Sequence, residues 1–225
     1  LYNEVIESSV RYSHTVDHHL AFLEPLGVRN ASGAIKLDLP LEAAQNADTL
    51  LSRLKIKIPF VIFHPGSARK EKFWEAQRWA KVLDHWARER RGACVLTSGT
   101  AASEQAHIAE IKAHLQQPAV DLSGKIDLLT LTALIRKARL LVGVDSAPTH
   151  LAAAMGTPQV VLYGPTNPLH WRPRFSPAVV LQGRAAEPLT EFSPKQRRVP
   201  MNEISTQQVI DAMESLLSAP AVQAL

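Results

Sequence analysis

An acid, a hydroxyl, a proline and an imidazole follow in quick succession at Asp145, Ser146, Pro148 and His150, between the apolar run 140–144 and the small-residue run 151–156. If a strand ends near Val144, the next helix starts between Ser146 and Pro148. Serine is a favoured N-cap, and proline costs nothing in a first turn where its missing N–H has no partner anyway. Unpaired N–H groups at that end attract an anion, and a diphosphate is a natural guest. Asp145 would repel a phosphate laid directly on it and is better suited to accepting from sugar hydroxyls. His150 falls within the first turn or just past it, where its ring can donate to phosphate or sugar oxygens. The competing reading is that Asp145 and Ser146 only cap the helix while His150 meets a polar neighbour. The stretch alone leaves both open.

Two further clusters have related chemistry. In "HPGSARKEKFW" (64–74), Gly66 and Ser67 make a small polar turn, and Lys72 follows with Arg69 and Lys70 beside it. A small turn with a nearby lysine can hold a pyrophosphate. Neither G-x-x-x-x-G-K-[ST] nor G-x-G-x-x-G is present, so a solvated loop with surface lysines is the alternative. In "TSGTAASEQ" (97–105), Gly99 turns the chain and Glu104 stands early in a helix. A carboxylate there meets the helix dipole favourably, and it can also accept from ribose hydroxyls. Other chemistries lack their residues: there is no G-x-S-x-G elbow, no H-E-x-x-H, no cysteine pair and no D-x-D. His14 and His18 flank Asp17 at metal-ligand spacing, but without a third ligand they read as a surface helix. No metal is expected.

The elements that must position these clusters alternate. Strands are expected over 60–65, 92–99, 119–124, 139–145 and 158–164. Helices are expected over 75–91, 101–115, 127–138 and 146–156, with Trp79, Val82, Leu83 and Trp86 marking one apolar face and Ile108, Ile111 and Leu115 another. Strand–helix alternation of this kind predicts an α/β fold, a Rossmann-like doubly wound parallel sheet, with all three clusters beyond the carboxyl ends of its strands. Residues 1–55 hold one helix, around 14–27, and then a turn-rich stretch; they read as the end of a preceding domain and a linker. Residues 56–204 read as the Rossmann-like domain that carries the three clusters, with 165–204 rich in Pro and Arg and poor in periodicity. Residues 205–225 read as a terminal amphipathic helix and tail, in which Ser205 and Gln208 have capping-box spacing.

Composition narrows the partners. Of 225 residues, 46% are hydrophobic, enough for a core, yet no apolar run reaches spanning length. The first ten residues carry Glu4 and Glu7 and no basic start, unlike a secretory leader. The chain begins at Leu1 and reads as a portion of a longer protein. The single cysteine, Cys94, excludes an internal disulfide and fits a reducing compartment; in an apolar strand it reads as inert packing. A net charge of +4 and a pI near 9.3 give a mild bias towards anionic partners. The basic runs 88–91 and 195–198 are not interleaved with aromatic residues, so they read as solvated faces and no nucleic acid is implied.

Taken in order, "FHPGSARKEKFW", "VLTSGTAASE", "LSGKIDLLTLTALI" and "VGVDSAPTHLAAAMGTPQVVLYGPTNPLHWRP" resemble the second half of the bacterial lipopolysaccharide heptosyltransferases, over about residues 60 to 217. The "VDSAPTH" and "WRP" wording is most similar to the heptosyltransferase III branch. The resemblance implies the C-terminal domain of a GT-B glycosyltransferase, with a remnant of the first domain at the N-terminus. It implies ADP-heptose as donor, no separate cofactor, and inverting, metal-independent transfer to the inner core of lipopolysaccharide. It also implies a cytoplasmic enzyme in peripheral contact with the inner face of the cytoplasmic membrane. Carried over, Ser67 and Lys72 hold the diphosphate and Glu104 the ribose. Ile126 lies against the adenine, and Asp145, Ser146, Ala147 and His150 contact the heptose and phosphates. Two positions depart from the pattern: Ala68 stands where many relatives have a hydroxyl, and Ala147 where other branches have glycine. The family's glycine-rich loop with its catalytic aspartate is not found here, so the general base is expected in a first domain outside this sequence. The alternatives are a GT-B transferase for another nucleotide sugar or acceptor, a nucleotide-binding module without catalysis, and a plain interaction domain.

Overall fold

Phe60–His64 (β1) is buried at every position, as a strand must be when helices cover both faces of its sheet. Five more strands follow: Ala93–Leu96 (β2), Val120–Asp121 (β3), Leu140–Val144 (β4), Gln159–Tyr163 (β5) and Ala178–Gln182 (β6). Every pairing is parallel, in the order β3-β2-β1-β4-β5-β6. The order reverses between β1 and β4, and a doubly wound sheet opens a crevice at such a point, beyond the strands' carboxyl ends. The expected Rossmann-like sheet is present. The computed structural model describes residues 5–6, 9–89, 92–185 and 187–218. Glu4, Glu7, the last two residues of the basic run 88–91, and the tail after 218 lie outside the described residues.

Alternation along the strands divides the core in two. Val61, Phe63, Leu96, Val142 and Val144 face Ala76–Glu89 (α3), Ala102–His114 (α4) and Thr206–Ser218 (α8), which contribute Trp79, Leu83, Ile108, Ile111, Val209 and Met213. Phe60, Ile62, Val95 and Leu141 face Leu41–Arg53 (α2), Leu128–Lys137 (α5) and Ala147–Ala154 (α6). At about 0.8 kcal/mol per buried CH₂, these two layers are what hold the loops at the sheet edge in register. The predicted face of α3 is buried as expected at Trp79, Val82, Leu83 and Trp86. The capping box of α8 forms: Gln208 N donates to Ser205 Oγ at 3.2 Å, and Ser205 N donates to Gln208 Oε1 at 2.7 Å.

Three elements differ from the sequence-based expectation. The stretch read as turn-rich contains α2, whose Ala43, Ala47, Leu50 and Leu51 pack on the sheet's core. The aperiodic region contains β6, a five-residue edge strand between Pro177 and Gly183. The helix around 14–27 is α-helical only over Thr15–Leu20 (α1) and continues as a 3₁₀ segment, Ala21–Leu26, containing Pro25 and ending at Gly27 with φ 79°. Proline removes one helical donor, and glycine adopts the left-handed exit without strain. His14 is not on a solvated helix either. It is buried, its Nδ1 accepts from Val16 N at 3.2 Å, and its Nε2 donates to the Arg172 carbonyl at 2.9 Å. Its ring pins the start of α1 to the end of a short helix, Pro168–Trp171 (α7). Arg174 pairs with Asp17 at 2.6 Å on the same seam.

Candidate functional site

The loops leaving β1, β2, β3 and β4 converge on one cavity of about 540 Å³ at the crevice, within the ~300–1,000 Å³ usual for small-molecule sites. After β1 the chain turns through Gly66 and Ser67, whose Oγ accepts from Arg69 N at 3.3 Å. A single 3₁₀ turn, Lys70–Lys72, then sends the Lys72 side chain back over the sheet edge. Its Nζ donates to Asp145 Oδ2 at 2.6 Å and to the Asp145 carbonyl at 2.9 Å. Both side chains of this ion pair are largely buried, at 12% and 7% exposure.

After β2, Glu104 in the first turn of α4 is buried against the loop, and Gly99 N donates to its Oε1 at 3.2 Å. Glycine at 66 and at 99 has a steric reason. A Cβ at Gly66 would run into Glu104 Oε1, and one at Gly99 would meet Oε2 at 2.5 Å. Both turns are stripped of side chains so that one carboxylate can stand between them. Gln105 braces the same loop, with Nε2 donating to the Gly99 carbonyl at 2.6 Å and to Ser98 Oγ at 3.1 Å.

After β3 the wall becomes apolar. Ile126, Leu128 and Leu131 line it, while Asp127 caps α5 by accepting from Thr130 N at 2.9 Å and Thr130 Oγ1 at 2.6 Å. Those two bonds hold the Asp127 carboxyl below its ordinary range.

After β4, Ser146 occupies the N-cap position of α6, but its side chain does not cap. Its Oγ donates instead to the Val144 carbonyl at 3.1 Å. The helix N-terminus is therefore open, Pro148 has no N–H to satisfy, and the exposed Ala147 leaves the backbone approachable. The spacing predicts an anion at this end, and the turn of Ser146 towards Val144 leaves its N–H groups without a side-chain cap.

Of the eight predicted residues, Ser67, Lys72, Glu104, Ile126, Asp145, Ser146 and Ala147 line the cavity; His150 does not. His150 sits one turn into α6. Burial holds its ring below the ordinary imidazole range; the charge of Asp145 opposes that and Lys72 adds to it.

Sequence reasoning missed two sets of residues here. His64, at the end of β1, lines the cavity and pairs through Nδ1 with Thr97 Oγ1 at 2.9 Å. Complete burial pushes the imidazole down to about 4. Thr166, in the loop after β5, donates its hydroxyl to Asp145 Oδ2 at 2.7 Å. His64 and Thr97 had a signal, since each ends an apolar strand on a polar side chain. Thr166 had none within its own neighbourhood.

One sequence reading of a residue outside the site also holds. Cys94 is buried, its thiol is pushed up to about 12 by burial and then by the charge of Asp84, and it packs inertly. Among the described residues no group of three or more His, Cys, Asp or Glu could hold a metal ion.

Comparison with known proteins gives the same picture of the fold. The model of a family described as glycosyltransferase family 9 (heptosyltransferase) matches residues 1–199. Lipopolysaccharide heptosyltransferase 3 of Escherichia coli strain K12 is 32% identical over 215 residues, 94% of this chain and 62% of that protein. The crystal structure of a family 9 glycosyl transferase from Veillonella parvula superposes with a TM-score of 0.79 at 27% identity, covering 91% of this chain and 60% of that one. Escherichia coli heptosyltransferase WaaC, solved with ADP, shares the fold with a TM-score of 0.64 at 18% identity, covering 96% of this chain and 60% of that one. The chain spans about three fifths of the length of these relatives.

Proposed function

This chain belongs to glycosyltransferase family 9, the heptosyltransferases, and from that premise we propose that its cavity is the donor site for ADP-heptose in transfer to the inner core of lipopolysaccharide. One observation carries the proposal. A lysine, an uncapped helix N-terminus, a buried carboxylate and an apolar wall meet in a single cavity at the switch point of a parallel sheet. Each feature matches one part of a nucleoside diphosphate sugar.

The adenine lies against Ile126, Leu128 and Leu131, and Glu104 accepts from the ribose hydroxyls. The diphosphate takes the α6 N-terminus, the turn at Ser67 and the ammonium of Lys72. Asp145 receives the heptose hydroxyls. In the transfer an acceptor oxygen bonds to the anomeric carbon while the bond from that carbon to the diphosphate oxygen breaks. Negative charge then gathers on ADP as it leaves. Once Lys72 has exchanged Asp145 for the diphosphate on donor binding, its ammonium and the α6 N–H groups face that charge as it develops, which is the usual source of such stabilisation. The acceptor hydroxyl must also lose a proton. The cavity's carboxylates are all engaged: Glu104 by Gly99 N, Asp127 as a helix cap, and Asp145 by Lys72 and Thr166. As the resemblance implies, the base and most of the acceptor site are proposed to lie in a first domain outside this sequence.

Among the described residues no helix is long and apolar enough to cross a membrane. Peripheral contact with the inner face of the cytoplasmic membrane, where a lipid-linked anionic acceptor is reached, belongs to the same proposal. It is supported by the exposed Lys195, Arg197 and Arg198.

Calorimetric titration of the chain with ADP, ADP-heptose and UDP tests the donor reading. Binding of ADP and ADP-heptose in preference to UDP is expected. Equal binding of UDP would remove the adenine assignment, and no nucleotide binding by the folded chain would remove the site.

A further inference from the structure

We infer that Thr166 is a positioning residue of the donor site: with Lys72 it clamps the Asp145 carboxylate, and through that carboxylate it orients the donor sugar. The inference rests on the donor reading above for the sugar, and on geometry alone for the clamp.

The two donors reach one oxygen from different parts of the fold. Lys72 comes from the loop after β1 and lies 2.6 Å from Asp145 Oδ2; Thr166 comes from the loop after β5 and lies 2.7 Å from the same atom. Between them is the strand that carries Asp145. A carboxylate bonded to the ammonium alone would be free to follow it when Lys72 turns towards an arriving diphosphate. A neutral hydroxyl on the other side has no reason to follow the phosphate charge. It keeps the carboxylate where it is while the lysine changes partner.

Thr166 is itself held in place. Buried Gln182 on β6 reaches the carbonyls of Gly164 and Thr166 with Nε2, at 3.3 and 3.4 Å. Gln182 Oε1 accepts in turn from Gln196 Nε2 at 2.9 Å. Beneath the same carboxylate, the Tyr163 hydroxyl donates to the Trp171 carbonyl at 2.7 Å, and burial together with the Asp145 charge keeps the phenol protonated. The loop that presents Thr166 is thus tied to β6 rather than left to the solvent. A buried glutamine on an edge strand, aimed at loop carbonyls, has a clear use if the hydroxyl at the end of that chain must not move.

The test uses ADP and ADP-heptose titrated into the wild-type chain, Thr166→Val, Thr166→Ser, Asp145→Asn and the double variant D145N/T166V. The readout is the ratio of ADP-heptose affinity to ADP affinity, which a general loss of structure does not select. Thr166→Val is expected to lower that ratio about tenfold, the scale of one hydrogen bond to a charged group. Thr166→Ser, which keeps the hydroxyl, is expected to restore most of it. D145N/T166V is expected to match Asp145→Asn, because a residue that acts through Asp145 has nothing left to act on. A wild-type preference for ADP-heptose that Thr166→Val retains would overturn the inference and leave the donor reading standing. So would losses that add in the double variant. A wild-type chain that binds neither nucleotide would overturn both.

Discussion

Removing the Lys72 ammonium tests two statements at once, one about stability and one about binding. In the unliganded chain Lys72 and Asp145 form a largely buried pair at 2.6 Å. Breaking a buried pair from one side costs about 3–5 kcal/mol, because the remaining charge is left without its partner. Here Asp145 keeps Thr166 as a donor and lies at the rim of an open cavity, so Lys72→Ala is expected to cost on the order of 2–3 kcal/mol. At roughly 2–4 °C per kcal/mol for a chain of this size, the melting temperature should fall by about 5–10 °C. The same change removes a charge-assisted contact to the diphosphate worth about 1.5–3 kcal/mol, so ADP affinity should fall roughly 10- to 150-fold. Adding Asp145→Asn separates the two effects. With no carboxylate left unpaired, stability should recover most of its loss, whereas ADP affinity should recover only in part because the cation is still missing. Thermal denaturation and calorimetry on the wild type, the single variant and the pair supply all the numbers. ADP affinity within about twofold of wild type in Lys72→Ala would remove Lys72 from the phosphates. A double variant as unstable as the single one would refute the unpaired-carboxylate account of the stability loss.

Gly99→Ala places a Cβ 2.5 Å from Glu104 Oε2 and should cost about 1–3 kcal/mol by overpacking; adding Glu104→Ala should relieve the strain but not restore ADP binding, and a Gly99→Ala chain as stable as wild type in urea would refute the steric account. The Cys94 thiol, pushed up to about 12 and buried, should react with a maleimide at neutral pH only at the rate of unfolding, accelerating with urea; prompt stoichiometric labelling of the native chain would contradict its place in the core. His64 has a folded-state value of about 4 against an ordinary 6.5, so the unfolded chain takes up the proton first. Its contribution is present in full above pH 6.5, falls as the pH drops from 6.5 to 4, and amounts to at most about 3 kcal/mol. His14, His107 and His150 shift in the same direction, so His64→Gln should flatten the acid limb of a urea-stability profile without abolishing it, and an unchanged slope would place His64 in contact with water.

Most of the sheet was legible because its strands are short apolar runs that end in polar turns, and in a parallel sheet those ends are where ligands bind. Lys72, Glu104 and Ser146 could be placed together on that rule alone, before any resemblance was considered. α2 was hidden by its residue types. Its buried face is half alanine, at Ala43 and Ala47, and alanine gives weak contrast against polar neighbours. β6 was hidden by its surroundings, since a four-residue apolar run, Ala178 to Leu181, among prolines and arginines reads as loop unless a neighbouring strand is known to be waiting for it. Ser146 illustrates a different limit. Its type and position predict a side-chain cap, yet its hydroxyl turns back to Val144, and that choice depends on the φ of −158° at which β4 delivers it.

The residues that remained invisible share one property: their partners are distant in the chain. Thr166 lies 21 positions from Asp145, and Gln182 reaches back 16 to the Thr166 carbonyl. No local pattern marks a hydroxyl whose purpose is to hold a carboxylate on another strand. The contrast with Glu104 is instructive. That acid is fixed by the absence of atoms, at two glycines in adjacent turns, and glycines leave a mark in the sequence. Asp145 is fixed by the presence of donors from two other loops, one of them exchangeable and one not. A site of this kind needs both arrangements. The ribose end can be set rigidly, since nothing there changes during transfer. The diphosphate end must release Lys72 from Asp145 to meet a new anion, so the carboxylate needs a second, neutral anchor that stays in place when the charge moves.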